Sequence, residues 1–141
     1  MPRSGRSPYP EPVARLWHAA TLLREHRGDG HIAALVAEDI GGTEAHVLHA
    51  LSEGIPAEKF GRVHHLPVDR LAAVLDGMHA RGLIDASGWL SDAGRQTKER
   101  IESLTDDLAA AAYSSLEPSE LDQLIADLEP ISAALDAAGS R

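Results

Sequence analysis

The side chains with the greatest chemical potential in this chain cluster in LLREHRGDGHIAAL, residues 22–35. Six of its side chains are ionisable: Arg24, Glu25, His26, Arg27, Asp29 and His31. A plain turn is made from residues such as glycine and aspartate, and Gly28-Asp29-Gly30 meets that need. Because a turn does not need two histidines and two arginines, the segment is a candidate site as well as a candidate connector.

Two interpretations of this segment concern structure and ligand binding. In the first, Gly28 and Gly30 break the helix, Asp29 caps the helix that follows, and the other side chains face solvent. In the second, the upstream helix offers an aromatic wall and convergent polar groups, which suit a small-molecule site for an acidic or phenolic ligand. Its candidate ligand-binding residues are Trp17, His18, Thr21, Arg24, His26, Arg27, Asp29 and His31.

A third interpretation is metal binding or catalysis. His26, Asp29 and His31 supply the donors of a facial triad, and His18 is of the right type for a general base near neutral pH. His46 and His49, three residues apart, form a further possible chelate. None of these spacings is specific for a metal, so we predict no metal, no cofactor and no catalytic residue, and leave open whether the protein is an enzyme.

The composition favours packed helices in one domain. The chain has 141 residues, 43% hydrophobic but only 4% aromatic, so a core of Leu, Val, Ile and Ala is expected. The absence of cysteine excludes disulfides and thiolate chemistry.

Residues 1–12 have four prolines and no apolar run, which predicts a disordered tail before a domain at 13–141. No membrane span or secretory signal is recognisable, so a cytoplasmic location is expected.

The charge is unevenly distributed along the chain. The net charge is −9, which disfavours non-specific binding to nucleic acid. Residues 99–141 carry ten acids and two bases, whereas residues 57–81 carry three acids, four bases and three histidines. The middle of the chain is therefore the only part that suits an anionic partner.

Apolar spacing and glycine or proline punctuation predict a mainly α chain. The predicted helices are 12–27, 31–38, 43–53, 57–63, 67–81, a long helix from 92 and a last helix from 118. In the helix at 67–81 the residues predicted to face the core are Val68, Leu71, Val74, Leu75 and Met78. Leu83-Ile84 and Trp89-Leu90 predict two very short strands joined by a turn. Pro130 is expected to kink or end the last helix.

Three segments give this order of elements a family likeness: EAHVLHALSEG, LAAVLDGMHARGLI and GWLSDAGRQTKERIE. Together they resemble the multiple-antibiotic-resistance regulator (MarR) family over residues 13–137. The resemblance implies a winged helix-turn-helix fold with a short two-stranded wing. It also implies a homodimer joined by long N- and C-terminal helices, with small effectors bound beside that interface. LWHAATLLREHRGDGHIAALVA, residues 16–37, is more closely similar to the actinomycete SalK-like helix-turn-helix proteins, a likeness that supports the fold rather than an activity.

A winged helix reads double-stranded DNA by placing its recognition helix in the major groove. In this chain that helix is 67–81, with Arg70 as the candidate for a base edge and Lys59, Arg62, His64 and His65 for phosphates. Asp69 and the acidic turn Asp85-Ala86-Ser87-Gly88 oppose DNA binding.

The sequence therefore favours a ligand-responsive, DNA-binding transcriptional regulator that forms a homodimer. An alternative is a small-molecule-binding or catalytic protein on a winged-helix scaffold that no longer binds DNA. A third is an interaction module whose acidic C-terminal helices bind a partner.

Overall fold

The computed structural model describes residues 11–139. Five α-helices follow one another: α1 (Pro12–Ala37), α2 (Gly42–Ser52), α3 (Val68–Ala80), α4 (Asp92–Ala110) and α5 (Pro118–Gly139). Two single 3₁₀ turns, Ala57–Lys59 and Ala111–Tyr113, lie before α3 and after α4. The predicted disordered tail lies outside the described residues except for its last two, and Pro12 already forms the first turn of α1.

The predicted break at Gly28-Asp29-Gly30 is wrong, because α1 runs through it as one helix of 26 residues. Asp29 therefore caps nothing, and the predicted helix at 31–38 is the last part of α1. A helical glycine costs about 1 kcal/mol relative to alanine, which is the penalty that favoured a break. In α1 this penalty is offset by contacts with another helix, since one of the two glycines lies at a helix crossing.

Helix α1 packs along α4, and Gly30 lies at the closest approach. A Cβ placed on Gly30 would be 3.2 Å from the Leu108 Cβ and 3.8 Å from the Thr105 carbonyl oxygen. The same construction at Gly28 meets nothing within 4 Å. Only Gly30 therefore needs to be small for α1 and α4 to pack as they do.

Polar pairs on both sides of Gly30 fix the register of the two helices. Arg27 donates to Asp106 at 3.1 Å, before the crossing, and Arg100 donates to Glu38 at 2.7 Å, beyond it. Residue numbers rise along α1 as they fall along α4, so the helices run antiparallel. The Arg100 hydrogen bond lowers the pKa of the Glu38 carboxyl, which keeps this pair charged at neutral pH.

The buried core lies between the C-terminal half of α1, α2, α3, the hairpin and α4. Its largest fully enclosed side chains are Met78, Val47, Val63 and Thr105. Helix α2 contributes Val47, Leu48, Ala50 and Leu51 to this core, all of them buried. The predicted extent of α3 is confirmed to within one residue at each end.

Three further predictions differ from the structure. The helix predicted at 57–63 is only the 3₁₀ turn Ala57–Lys59. The two predicted strands reduce to a single antiparallel bridge between Ile84 and Leu90, and residues 11–139 contain no longer strand. Pro130 does not end the last helix, which continues to Gly139.

Helix α5 leaves its apolar stripe uncovered. None of its side chains is buried within the described chain, although apolar residues recur at helical spacing. The exposed members of the stripe are Ile125, Leu128, Ile131 and Leu135. The N-terminal half of α1 has the same property, because Val13 and Trp17 are 81% and 74% exposed. Within residues 11–139, no helix is both long enough and apolar enough to cross a bilayer.

The glycine pair offers a direct test of the α1–α4 crossing. Gly28→Ala adds a methyl group in open space, so its better helix propensity should raise the free energy of unfolding by about 0.5–1 kcal/mol. Gly30→Ala has the same propensity gain but presses on Leu108, and we expect it to be about 1–3 kcal/mol less stable than Gly28→Ala. Urea denaturation monitored by circular dichroism measures both variants. Equal gains in stability would show that the helices do not need the close approach.

Candidate functional site

Helix α3 presents the start of a recognition surface. Pro67 precedes its first turn, and Leu71 and Met78 are buried against the core. The first turn of α3 is exposed instead: Val68 is 86% exposed, and Asp69 and Arg70 beside it are also exposed. The prediction that Val68 faces the core is therefore wrong, and an apolar side chain stands at the exposed end of the helix.

Cationic side chains gather on the chain that leads into α3. Those predicted from sequence, Lys59, Arg62, His64, His65 and Arg70, are all exposed. Within residues 11–139 none of the three with permanent charge forms a salt bridge. The His64 Nδ1 lies 3.4 Å from the Glu58 carbonyl oxygen, and the His64 and His65 rings meet edge to face. These groups remain available for an anionic partner.

Arg81 fixes the far end of α3. Its Nη1 donates to both carboxylate oxygens of Glu44, at 3.0 and 3.2 Å, and its Nη2 donates to the Asp39 carbonyl oxygen at 2.6 Å. Glu44 in turn accepts from the Gly41 amide at 2.8 Å, which closes the first turn of α2. One guanidinium therefore ties α3 to the α1–α2 connection, and the orientation of the candidate recognition helix depends on it.

Asp85, the acid at the tip of the hairpin, accepts hydrogen bonds from the hairpin itself. The Asp85 Oδ1 accepts from the Ser87 amide at 2.9 Å, the Ser87 hydroxyl at 2.6 Å and the Trp89 amide at 3.1 Å. The Ser87 hydroxyl bond, followed by the Trp89 amide bond, lowers the pKa of the Asp85 carboxyl. Gly88 completes the turn at a φ of +84°. Asp85 thus builds the tip of a hairpin, residues 84–90, that carries no cation.

The segment after the hairpin joins it rigidly to α4. The Ser91 hydroxyl caps α4 by accepting from the Gly94 amide at 3.0 Å and donates to the Gly82 carbonyl oxygen at 2.5 Å. A Cβ on Gly94 would lie only 2.0 Å from the Leu83 carbonyl oxygen, so no other residue fits there without movement. Arg95 holds the Leu90 carbonyl oxygen at 2.6 Å. Leu90-Ser91-Asp92-Ala93-Gly94-Arg95 is thus a structural joint.

The predicted ligand-binding residues of α1 do not form one pocket. They are spread over three separate depressions: Trp17, His18 and Thr21 line the first, Arg24, His26 and Arg27 the second, and His31 the third. Asp29 is exposed and lines none of these three. Along one continuous helix these side chains are separated, so the described chain does not bring them together in one pocket.

The side chains of HRGDGH that contact the rest of the fold do so on α4. Arg27 pairs with Asp106 and lies 3.6 Å from Glu102, while the His31 Nδ1 is 3.1 Å from the Thr105 hydroxyl. With Gly30 between them they form one stripe at helical spacing. In the described residues no three histidine or acidic side chains are grouped as a metal would need, so the His26, Asp29 and His31 triad does not assemble.

At α3 a short turn is followed by a helix that Arg81 anchors at its far end, and the exposed end of this helix is polar. Residues 5–141 match the sequence profile of a helix-turn-helix family, and the chain belongs to that family. No curated protein and no solved structure matches the chain significantly.

Two features of the site were missed by sequence reasoning. Val68 was assigned to the core because it continues the apolar spacing of α3, although its place directly after Pro67 puts it in the first turn, beyond the core. The cavity that includes His31, His46 and His49 draws on α1, α2 and α4 and on the turn that carries Arg62. The sequence indicated this cavity only through the histidines of α1 and α2, which lie on the helix faces that also carry core residues.

Removing the Arg81 anchor should loosen α3 without changing its exposed face. We expect Arg81→Ala to lower the free energy of unfolding by about 1–2 kcal/mol, because three hydrogen bonds to a half-exposed guanidinium are lost. Arg81→Lys should recover only part, since one ammonium cannot hold both Glu44 and the Asp39 carbonyl oxygen as the two guanidinium nitrogens do. Arg24→Ala is the matched control, because Arg24 is exposed and its one salt bridge within residues 11–139 is to its neighbour Glu25. If Arg81→Ala and Arg24→Ala unfold at the same denaturant concentration, the anchor is not significant.

Proposed function

We propose that this protein is a DNA-binding transcriptional regulator that acts as a homodimer. The proposal rests on the exposed start of α3. There, Val68 and Arg70 lie beside a turn whose cationic side chains form no salt bridge within the described residues. Membership of a helix-turn-helix family supports the same function. The resemblance to MarR and SalK-like proteins is part of the proposal, and it supplies the winged arrangement and the expectation of an effector.

In the proposed complex, α3 enters the major groove by its N-terminal end. Arg70 has the length and the paired donors to grip a guanine, and the Val68 methyl groups suit the C5-methyl of thymine. Lys59, Arg62 and the His64–His65 pair approach phosphates from the preceding turn. Because the wing carries no cation, the hairpin contributes little, and binding depends on α3 and this turn.

The charge of the protein sets the strength of this binding. A net charge of −9 repels DNA as a whole, and Asp69 lies beside Arg70 on the reading face. We therefore expect weak non-specific affinity with a steep dependence on salt. Under this proposal Asp69 contributes to specificity, because it penalises every site where a phosphate or base acceptor approaches it.

The homodimer rests on the uncovered apolar surfaces. Helix α5 exposes an apolar stripe over its length, and the first turns of α1 expose Val13 and Trp17. A monomer rarely leaves such long apolar faces in water. Two copies joined through these faces would present two α3 helices, and reading two half-sites requires two such helices. A cytoplasmic location remains a prediction.

DNA binding is tested by fluorescence anisotropy on a duplex from upstream of the gene, first at low salt and then with added salt. We expect affinity that falls with salt, and a loss of about 1–3 kcal/mol in Arg70→Ala because a base contact is removed. Asp69→Asn should bind more tightly, since one repulsive charge is gone. Arg24→Ala, with the same change of charge as Arg70→Ala but on α1, should retain nearly the wild-type affinity.

Two outcomes would contradict the regulator proposal. One is no binding at low salt to any duplex, which favours the alternative of a small-molecule-binding or catalytic protein on a helix-turn-helix scaffold. The other is equal loss of affinity in Arg70→Ala and Arg24→Ala, which means that α3 is not the reading element.

The dimer is tested by sedimentation equilibrium of variants in α5. Leu135→Asp places a charge in the apolar stripe at a side chain that is 64% exposed, so the fold of the monomer should be unaffected. We expect this variant to sediment as a monomer at micromolar concentration, because burying an unpaired carboxylate opposes association. Ala133→Asp adds the same charge on the opposite face of α5 and should remain dimeric. A wild-type chain that sediments as a monomer contradicts the proposal.

A further inference from the structure

A cavity of about 610 Å³ lies between the end of α2, the hairpin and the first half of α4. This hairpin cavity is lined by Leu51, Ser52, Trp89, Leu90, Arg95, Lys98, Glu99 and Glu102. None of the ligand-binding residues predicted on α1 is among them. The Lys98–Glu102 pair stands between it and the depression that contains His31, because both cavities include these two residues. The volume of the hairpin cavity is that of a small-molecule site.

The indole of Trp89 is the largest apolar group of the hairpin cavity. Leu51 and Leu90 are buried in the core, whereas Trp89 remains 40% exposed. The backbone of Trp89 is held on both sides by Asp85: its amide donates to the Asp85 Oδ1 at 3.1 Å, and its carbonyl oxygen accepts from the Asp85 amide at 2.8 Å. A large aromatic surface is thus kept at a cavity by a rigid turn, and a ligand that covers it would gain hydrophobic free energy.

Both cations of the hairpin cavity already have partners. Arg95 pairs with Asp92 and donates to the Leu90 carbonyl oxygen at 2.6 Å. Lys98 donates to Glu102 at 3.0 Å. Partial burial acts to raise the pKa of Glu102, but the Lys98 hydrogen bond outweighs it and lowers this pKa, so the pair stays charged at neutral pH. Neither cation is therefore left for an anionic ligand.

Glu99 is the one charged group of the hairpin cavity that has no counter-ion. It is exposed, and within residues 11–139 it forms no salt bridge. The carboxyl end of α2 adds to the negative potential, because Leu51 and Ser52 are the last two residues of that helix. The cavity therefore combines an aromatic surface with unmatched negative charge.

We propose that the hairpin cavity binds a small organic ammonium ion, with its charged group near Glu99 and the Trp89 ring and its hydrocarbon part against Leu51 and Leu90. An indole face attracts a cation that lies within roughly 6 Å of the ring centre. A carboxylate accepts charge-assisted hydrogen bonds from ammonium protons. A neutral molecule of the same shape loses both contacts, and an anion is repelled by Glu99, so the cavity selects positive charge.

The site is tested without DNA by titrating phenethylammonium, 2-phenylethanol and phenylacetate, separately, into ¹⁵N-labelled protein. The readout is the pair of indole N–H signals in ¹H–¹⁵N NMR spectra, because the chain contains two tryptophans. Phenethylammonium should shift the Trp89 signal saturably and leave the Trp17 signal, from the start of α1, unchanged. The alcohol should bind at least about fivefold more weakly, and the carboxylate should not bind.

Charge reversal of the cavity is tested by Glu99→Gln. This variant should weaken phenethylammonium binding about two- to fivefold, as expected for the loss of an exposed ion pair. Asp107→Asn is the matched control, because it removes the same charge from an exposed position of α4 outside the cavity. It should bind as the wild type does.

The contribution of the aromatic face is tested by Trp89→Phe and Trp89→Leu, with the backbone amide signal of Ser52 as the readout. Affinity for phenethylammonium should fall in the order Trp, Phe, Leu, because the attraction of a cation to a ring is strongest for indole and absent for leucine. Affinity for 2-phenylethanol should fall less. An equal fall for both probes would mean that the hairpin is merely displaced, and would overturn the role of the ring.

Four outcomes would each overturn the ammonium site. They are no saturable Trp89 shift up to about 10 mM phenethylammonium, equal affinity for 2-phenylethanol, equal loss in Glu99→Gln and Asp107→Asn, and a shift of the Trp17 signal alone. Because the measurements use the full chain without DNA, none of these outcomes bears on the regulator proposal.

Discussion

The close crossing of α1 and α4 at Gly30 is the constraint on which the other features depend. It brings Arg27 and His31 onto α4 and sets the distance at which Glu38 meets Arg100. The individual ion pairs are exposed and each contributes little, about 0–1 kcal/mol, so they define register more than stability. The frame supports α2 on one side and leaves the start of α1 and all of α5 uncovered on the other. Gly30, a residue type that destabilises helices, is thus the residue that lets α1 and α4 approach each other closely.

The helices of the reading half follow from sequence because their causes are local. Pro67 fixes the start of α3, Gly82 its end, and the apolar spacing between them the buried face. The hairpin was recognisable from its turn residues, but its length was not, since a strand is defined by pairing and only Ile84 and Leu90 pair. From the sequence, Asp85 at the tip was expected to oppose DNA binding, because the hydrogen bonds that it accepts within the turn could not be inferred. Asp85 serves three donors of its own turn.

The segment HRGDGH was misinterpreted because its chemistry and its packing give opposite signals. Two glycines around an aspartate favour a turn when the segment is considered alone. Arg27, Gly30, His31 and Ala34 are nevertheless spaced three, four and seven apart, which is the pattern of one helix face. That pattern decides the structure, because a tightly packed partner helix offsets a cost of about 1 kcal/mol per glycine. Sequence reasoning located the unusual residues, whereas grouping them into a site required knowledge of what lies opposite α1.

The same packing explains how one chain can combine a frame, a cavity and a reading helix. The frame holds His31 through Thr105, and α2 carries His46 and His49 toward it. The turn before α3 then closes the cavity with Arg62. Arg81 holds the far end of α3 to α2, so α3 is fixed at one end and adjoins the cavity turn at the other. The end of α3 that adjoins the cavity turn is therefore also the end that carries Val68 and Arg70.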